Sequence, residues 1–258
     1  MPPMPAMPRM TGAETMRAAA LCLAALLALP ALAEPCRRVL HEGAGYTVCE
    51  AAAGDDLRLF LAAPDGTPWG SFNRIAAALA AEGARLVFAM NAGMYHDDRR
   101  PVGLYVENGV EAAPIVTRAG PGNFGMLPNG VFCVLDDRFA VIESRRYAAA
   151  PPGCRHATQS GPMLVIEGRL HPRFIPGSPS RFLRNGVGVS ADGQRAVFAI
   201  SDGRVSFDAF ARLFRDGLGM PDALYLDGSI SRLYAPGIGR HDPGLRMGPI
   251  VGLVAPAD

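Results

Sequence analysis

The sequence predicts an α+β fold: a single domain with a mixed, largely antiparallel β-sheet core and flanking helices. Three features carry that expectation. About a dozen short runs rich in β-branched and apolar residues recur along the chain, polar-glycine turns follow several of them, and two longer segments have helical periodicity instead. The strand-like runs are 39–40, 46–50, 57–62, 86–90, 102–106 and 131–135, then 139–142, 163–166, 187–189, 196–200, 223–226 and 250–254. Asn108-Gly109, Glu167-Gly168, Asp192-Gly193 and Asp202-Gly203 follow such runs and suit hairpins or tight bends, which is why antiparallel pairing is expected. The first helix is expected over 71–83, from the hydroxyl of Ser71 through an alanine-rich stretch to Gly83. The second repeats the scheme over 206–217, with apolar residues at 207, 210, 213 and 214 between Ser206 and Gly217. Each helix leads by a short connection into a hydrophobic strand, so the chain after Met90 and the chain after Leu226 emerge beside one sheet.

The front of the chain bears on where the protein works. Arg17 precedes an apolar run over 18–29, and Ala31-Leu32-Ala33 forms a small-x-small cleavage pattern before Glu34. The expectation is a secretory signal over 1–33, removed to leave one domain over 34–258. The apolar stretch is well short of the roughly 20 residues that span a bilayer, so no stable membrane insertion is expected after removal. A periplasmic or secreted location follows. Cys22 leaves with the signal, and Cys36, Cys49, Cys133 and Cys154 remain, an even number in an exported chain. Four cysteines allow three connectivities; short loop closure favours Cys36 with Cys49 and Cys133 with Cys154.

Composition removes several functions. Without Arg9, Arg17 and Glu14 the chain keeps 23 arginines and 23 acidic residues, a balance that argues against a nucleic-acid partner. It contains no lysine, which excludes Schiff-base or pyridoxal-lysine chemistry and a Walker-type phosphate loop. No cysteines form a CxxC pair, and His41, His96, His156, His171 and His241 lack metal-ligand spacing, so neither a zinc site nor another cofactor is expected. The pairs Asp55-Asp56, Asp97-Asp98 and Asp136-Asp137 lie beside turn material and read as solvated loops rather than as a metal site.

The polar residues gather where strands end. Ala223-Leu-Tyr-Leu-Asp-Gly-Ser-Ile-Ser231 delivers Asp227 from a hydrophobic strand into a glycine turn with Ser229 and Ser231. An acid there is costly unless something binds it, so Asp227 reads as part of a site. Asn91-Ala-Gly-Met-Tyr95 sends Asn91 and Tyr95 out of another strand through Gly93. Gln159-Ser-Gly-Pro-Met-Leu-Val165 and Arg184-Asn-Gly-Val-Gly188 make two further junctions of this kind. Four such junctions suggest one convergent pocket.

Taken in order, these four motifs resemble the signatures of the phosphodiester glycosidase family, a likeness that extends over about Leu86 to Leu253. The resemblance implies a phosphodiester-glycosidase-like fold and hydrolysis of a sugar joined through its anomeric carbon to a phosphodiester. The products would be free sugar and a phosphomonoester. Two positions depart from the pattern: Ala92 replaces a glycine, and Ser229-Ile230 stands where a glycine pair is common. Both bear on which sugar is accepted.

The chemistry sets its own demands. A phosphate monoester leaves with a conjugate-acid pKa near ~6, so it needs little protonation. The site must instead stabilise charge on the phosphate side and supply a carboxylate for the oxocarbenium-like carbon or its attacking water. Arg184 is expected in the first role and Asp227 in the second. Asn91, Tyr95, Gln159, Ser160, Asn185, Ser229 and Ser231 are candidate substrate contacts, with Gly93, Gly161, Gly186 and Gly228 allowing close backbone approach. The substrate would be a sugar phosphodiester or an envelope glycan. Plainer readings stand beside these: Asp227 capping its own turn, and Arg184 as a structural ion-pair partner. Two rival functions are a serine hydrolase using Ser229 or Ser160 and a non-catalytic envelope module that binds a glycan or protein. The first lacks the glycine two positions after Ser229 that a nucleophile elbow uses.

Overall fold

A computed structural model describes residues 34–228 and 230–257, together with Met1 and Pro3. The expected signal segment lies outside the described residues apart from those two, as does Ser229. From Glu34 onward the chain folds as one unit. It opens with β1 (Cys36–His41), β2 (Ala44–Ala52) and β3 (Asp56–Phe60), then α1 (Phe72–Ala81) and β4 (Ala84–Asn91). Next come β5 (Tyr105–Glu107), β6 (Val110–Ala113), β7 (Gly130–Val134), β8 (Phe139–Glu143) and α2 (Ser144–Ala149). After these run β9 (His156–Ser160), β10 (Met163–Ile166), β11 (Arg169–Leu170), β12 (Asn185–Val189) and β13 (Arg195–Ser201). The chain closes with α3 (Phe207–Arg212), β14 (Asp222–Asp227), β15 (Leu233–Ala235), β16 (Arg240–His241) and β17 (Ile250–Pro256).

The strands form three sheets. The first has seven strands in the order β1-β2-β13-β12-β14-β10-β11; the second runs β16-β15-β4-β17-β3 and the third β6-β5-β9-β7-β8. Every ladder between these strands is antiparallel, more uniform than the mixed sheet expected. The class is α+β, dominated by antiparallel sheet.

Alternation along the strands decides what each face meets. On β14, Leu224 and Leu226 enter a core shared by all three sheets, whereas Ala223 and Tyr225 face outward against α3. Phe198 on β13 ties that core together, with its ring 5.6 Å from Phe88 of the second sheet and 5.5 Å from Phe132 of the third. Phe210 and Phe214 cover the outer face of the first sheet. Phe72, Ile75 and Leu79 of α1 do the same for the second, over Phe60, Leu86 and Ile250. Two disulfides fasten the molecule, Cys36–Cys49 across β1 and β2 and Cys133–Cys154 from β7 to the approach of β9, in the expected pairing. Among the described residues no helix is long and apolar enough to cross a membrane.

Departures from expectation have local causes. The run 102–106 joins its ladder only from Tyr105, because Leu104 N–H donates to the Gln159 side chain instead of to a strand. The β9 strand, His-Ala-Thr-Gln-Ser, is too polar to announce itself, yet all of it is buried, since its polar side chains find partners inside the protein. The second helix holds α geometry through Arg212 and then widens to a π turn over Leu213–Gly217. Ser206 caps it through Ala209 N–H, but the Ser71 hydroxyl makes no such bond for α1.

Candidate active site

Asp227 ends β14 and is 7% exposed. Its register partner on β12 is Asn185, and a bulge between Asn185 and Gly186 sets the turn of the strand there. Asn185 Oδ1 accepts Asp227 N–H at 2.9 Å, while Ser231 Oγ donates to the Asp227 carbonyl at 2.8 Å. The backbone of the acid is therefore pinned from both sides. Alternation places the Asp227 side chain on the Tyr225 face of the sheet, and the two side chains interact electrostatically.

Tyr225 was not anticipated from the sequence, nor were Arg204 and Arg232, which line the cleft beside Asp227. Burial drives the Tyr225 hydroxyl well above the usual tyrosine range; the Arg184 guanidinium opposes that shift and the Asp227 carboxylate adds to it. One hydroxyl thus lies within electrostatic reach of both the expected cation and the expected acid. Gly228 makes room for it: a Cβ there would stand 1.7 Å from the Tyr225 hydroxyl. The strand alternation placed Tyr225 outward, but nothing in the sequence showed that outward meant toward Arg184.

Arg184 lies below the site rather than in it. Its side chain is 1% exposed, with Nε donating to the Val205 carbonyl at 2.9 Å and Nη2 to the Ser180 carbonyl at 3.3 Å. The guanidinium carbon sits 3.5 Å from the Phe207 ring centre, with Tyr225 at 5.4 Å and Phe182 at 5.5 Å. Burial lowers its pKa, and Tyr225 offsets part of that. The direct phosphate contact expected from the planar fork would need that buried side chain to be reached: Nε and Nη2 are engaged by carbonyls, the guanidinium packs on aromatic faces, and Nη1 is buried without a hydrogen-bond partner among the described residues. An exposed cation beside the site is Arg204, without an ion pair among the described residues.

Beside Asp227 opens a cleft of about 460 Å³, lined by Phe182, Leu183, Arg204, Gly228, Ser231 and Arg232 and bounded by the loop 243–245. Arg232 holds that loop by donating to the carbonyls of Asp242 and Leu245, at 2.6 Å for the latter. Tyr95 is half-buried and stands outside that lining: its hydroxyl donates to the Arg246 carbonyl at 3.4 Å, Arg99 lies 5.2 Å from its ring centre, and burial followed by the Asp227 charge raises its pKa.

The other expected contacts are buried and occupied. Asn91 and Asn185 clasp the second sheet to the first: Asn185 Nδ2 donates to the carbonyl and Oδ1 of Asn91, both at 2.9 Å, and Arg232 N–H donates to Asn91 Oδ1 at 3.0 Å. Direct orientation of a sugar by these amides is replaced by support of the strand ends that carry Asp227 and Arg232. Gln159 Oε1 accepts from Leu104 N–H and Val116 N–H while Nε2 donates to Val116 O and Ser144 Oγ, which uses the whole amide. Ser160 Oγ donates to the Leu226 carbonyl at 2.8 Å, so it is no free nucleophile. Gly93, at φ 152°, admits Thr158 Oγ1, and Gly161 and Gly186 are packed against protein atoms of Asn129 and Leu224. The close approach these glycines permit is to the protein itself. Ser229 lies outside the described residues. Among the described residues no three histidine, cysteine or acidic side chains converge as metal ligands would.

Two solved structures share this architecture. One is the catalytic domain of zebrafish N-acetylglucosamine-1-phosphodiester alpha-N-acetylglucosaminidase, auto-inhibited by its pro-peptide; it matches with TM-score 0.55 at 12% identity, over 84% of this chain and 81% of that one. The other is a protein of Burkholderia pseudomallei K96243 described as a candidate exported protein, with TM-score 0.55 at 14% identity, over 81% of this chain and 74% of that one. These define the fold. The chain belongs to the phosphodiester glycosidase family, whose sequence model matches residues 84–245. It is also 34% identical over 181 residues to the uncharacterised protein YigE of Escherichia coli strain K12, covering 70% of each chain.

Proposed function

We propose that this chain is an exported hydrolase that cleaves the anomeric C–O bond of a sugar-1-phosphodiester, adding water to give free sugar and a phosphomonoester. The observation that carries the reading is the placement of Asp227: a buried acid at a strand end, backbone-pinned by Asn185 and Ser231, beside an open cleft with the exposed Arg204 at its rim. Family membership supports a glycosidase-type reaction, and the two disulfides support a periplasmic or secreted setting.

In this reading Asp227 is the carboxylate that faces the developing oxocarbenium carbon or its attacking water. Arg204 balances the phosphate charge, and Ser231 and the backbone at Gly228 border the bond that breaks. Arg184 and Tyr225 are positioning residues. The Tyr225 hydroxyl stays protonated beside the acid, and the buried guanidinium fixes the tyrosine from below.

The test is turnover of a panel of sugar-1-phosphodiesters, including nucleotide-sugar-like and teichoic-type compounds, followed by phosphorus NMR. Release of a phosphomonoester by the wild type, lost by at least about a thousandfold in Asp227→Asn with folding retained, is the expected result. A fully active Asp227→Asn enzyme removes the acid from the mechanism. Binding without product release, unchanged in that variant, identifies a non-catalytic glycan- or protein-binding module instead.

A further inference from the structure

A second cavity, of about 400 Å³, lies at the opposite edge of the second sheet from β15 and β16, between β3, the C-terminal half of α1 and the β5–β6 turn. It shares no lining residue with the cleft beside Asp227. Its walls are apolar, from Trp69, Phe60, Pro64 and Leu79, and its polar groups are few and differently disposed.

Glu107 supplies the acceptor. Its Oε2 receives the Tyr105 hydroxyl at 2.7 Å and Leu61 N–H at 3.1 Å, while Oε1 has no bond and the carboxylate no ion pair among the described residues. His156 supplies a donor. It is 1% exposed; Nδ1 accepts Asn108 N–H at 3.3 Å, which assigns the proton to Nε2, and Nε2 has no partner among the described residues on a side chain that lines the cavity. Burial, reinforced by Arg155, holds the imidazole near about 4, so Nε2–H is a neutral donor at neutral pH. Of the other polar lining residues, Arg58 is already neutralised by Asp56, with Nε at 2.9 and 3.0 Å from its two oxygens, Asn108 gives its N–H to His156, and Glu82 is an exposed carboxylate.

We infer that this cavity is a carbohydrate-binding subsite, sized for one or two sugar rings, in which Glu107 and His156 take opposite sides of sugar hydroxyls and Trp69 faces a ring. A hydroxyl donates and accepts, so a single ligand class satisfies a bare carboxylate oxygen and a bare N–H together. An aromatic wall suits the C–H face of a pyranose, and the volume falls within the usual range for small-ligand sites. An organic ammonium would answer Glu107 and the exposed Glu82 but would meet His156 Nε2–H with the wrong sign. The inference does not rest on the hydrolytic reading: it says where a glycan is held, not where it is cut.

Trp69 is the chain's only tryptophan, so its emission reports on this cavity alone. The experiment titrates the purified protein with cellobiose, maltose and N,N′-diacetylchitobiose, and with tetramethylammonium as the cation probe. Expected is a saturable change in emission with at least one disaccharide, with affinity weakened about tenfold or more in Glu107→Ala. Ala78→Phe fills the cavity from α1 without touching the bonds that hold Glu107, and decides the matter if Glu107→Ala does not fold; it should abolish the response while retaining whatever phosphodiester turnover the wild type has. No saturable response to any of the three sugars overturns the proposal. So does a response undiminished in Ala78→Phe, or one to tetramethylammonium that the sugars do not compete away.

Discussion

Arg184 and Arg204 stand only twenty residues apart and carry the same charge, yet their surroundings give them opposite duties. Removing the Arg184 fork takes one of two donors from the Val205 carbonyl, which keeps Phe182 N–H, takes the guanidinium from the Ser180 carbonyl, and opens a void beside Phe207. Arg184→Ala should therefore cost about 3 kcal/mol of stability, read by urea denaturation, with little rescue by Arg184→Lys because an ammonium cannot reproduce the fork. Arg204→Ala should leave the denaturation midpoint unchanged and raise KM for a phosphodiester about tenfold, the loss of one charge-assisted contact. A residue of a different kind is His156, whose folded pKa near about 4 lies below its unfolded value because burial, then Arg155, with Arg58 in support and Asp56 opposing, disfavours the imidazolium. The unfolded chain takes up that proton first as pH falls. Its contribution is therefore constant above roughly pH 6.5 and lost between there and about pH 4, a change of ~3 kcal/mol. Comparing denaturation at pH 7 and pH 4.5 in wild type and His156→Gln isolates it: the variant should lose this component of the pH dependence.

At the scale of elements, the short strands are held by turns and cross-links more than by their own length. The hairpins β5–β6 and β10–β11 close through Asn108-Gly109 and Glu167-Gly168, and in each pair both residues have positive φ, the geometry that matches strand twist. The Cys36–Cys49 bridge joins the edge strand β1 to β2 at one end of their ladder, where Cys36 and Cys49 are register partners. Cys133–Cys154 ties β7 to the segment entering β9, across a separation of 21 residues. Replacing either pair by alanine should lower stability by ~3 kcal/mol, and reductant should shift the wild type but not a variant with all four cysteines replaced by alanine. Matching thermal melts of wild type and variants with and without dithiothreitol check this.

For the whole molecule, three sheets meet on one core, and Phe198 touches rings of both neighbouring sheets. Phe198→Ala should cost ~3 to 5 kcal/mol and unfold all three sheets in one transition, because the void opens where they meet rather than within one of them. Coincident loss of far-UV and near-UV circular dichroism is the check; separate transitions would show that the sheets fold independently. The same meeting point places the ends of β4, β12 and β14 together, which is how Asn185 comes into contact with Asn91, 94 residues before it, and with Asp227, 42 residues after it.

Local chemistry was legible without coordinates: the period-two runs, the polar-glycine turns, both cysteine pairings and the acid at the end of β14 all depend on neighbours in sequence or on loop length. The two longer helices were legible for the same reason. Tertiary structure alone decided which polar residues face a ligand. Gln159, Ser160, Asn91 and Asn185 look like site residues in sequence because buried polar side chains and ligand-binding ones share a composition; only the partners, a carbonyl here and an amide there, tell them apart. It likewise sent Arg184 inward and left Arg204 at the rim, and it brought Tyr225 between cation and acid. Those outcomes turn on which sheet packs over which strand end, a relation between distant segments that short-range periodicity does not encode.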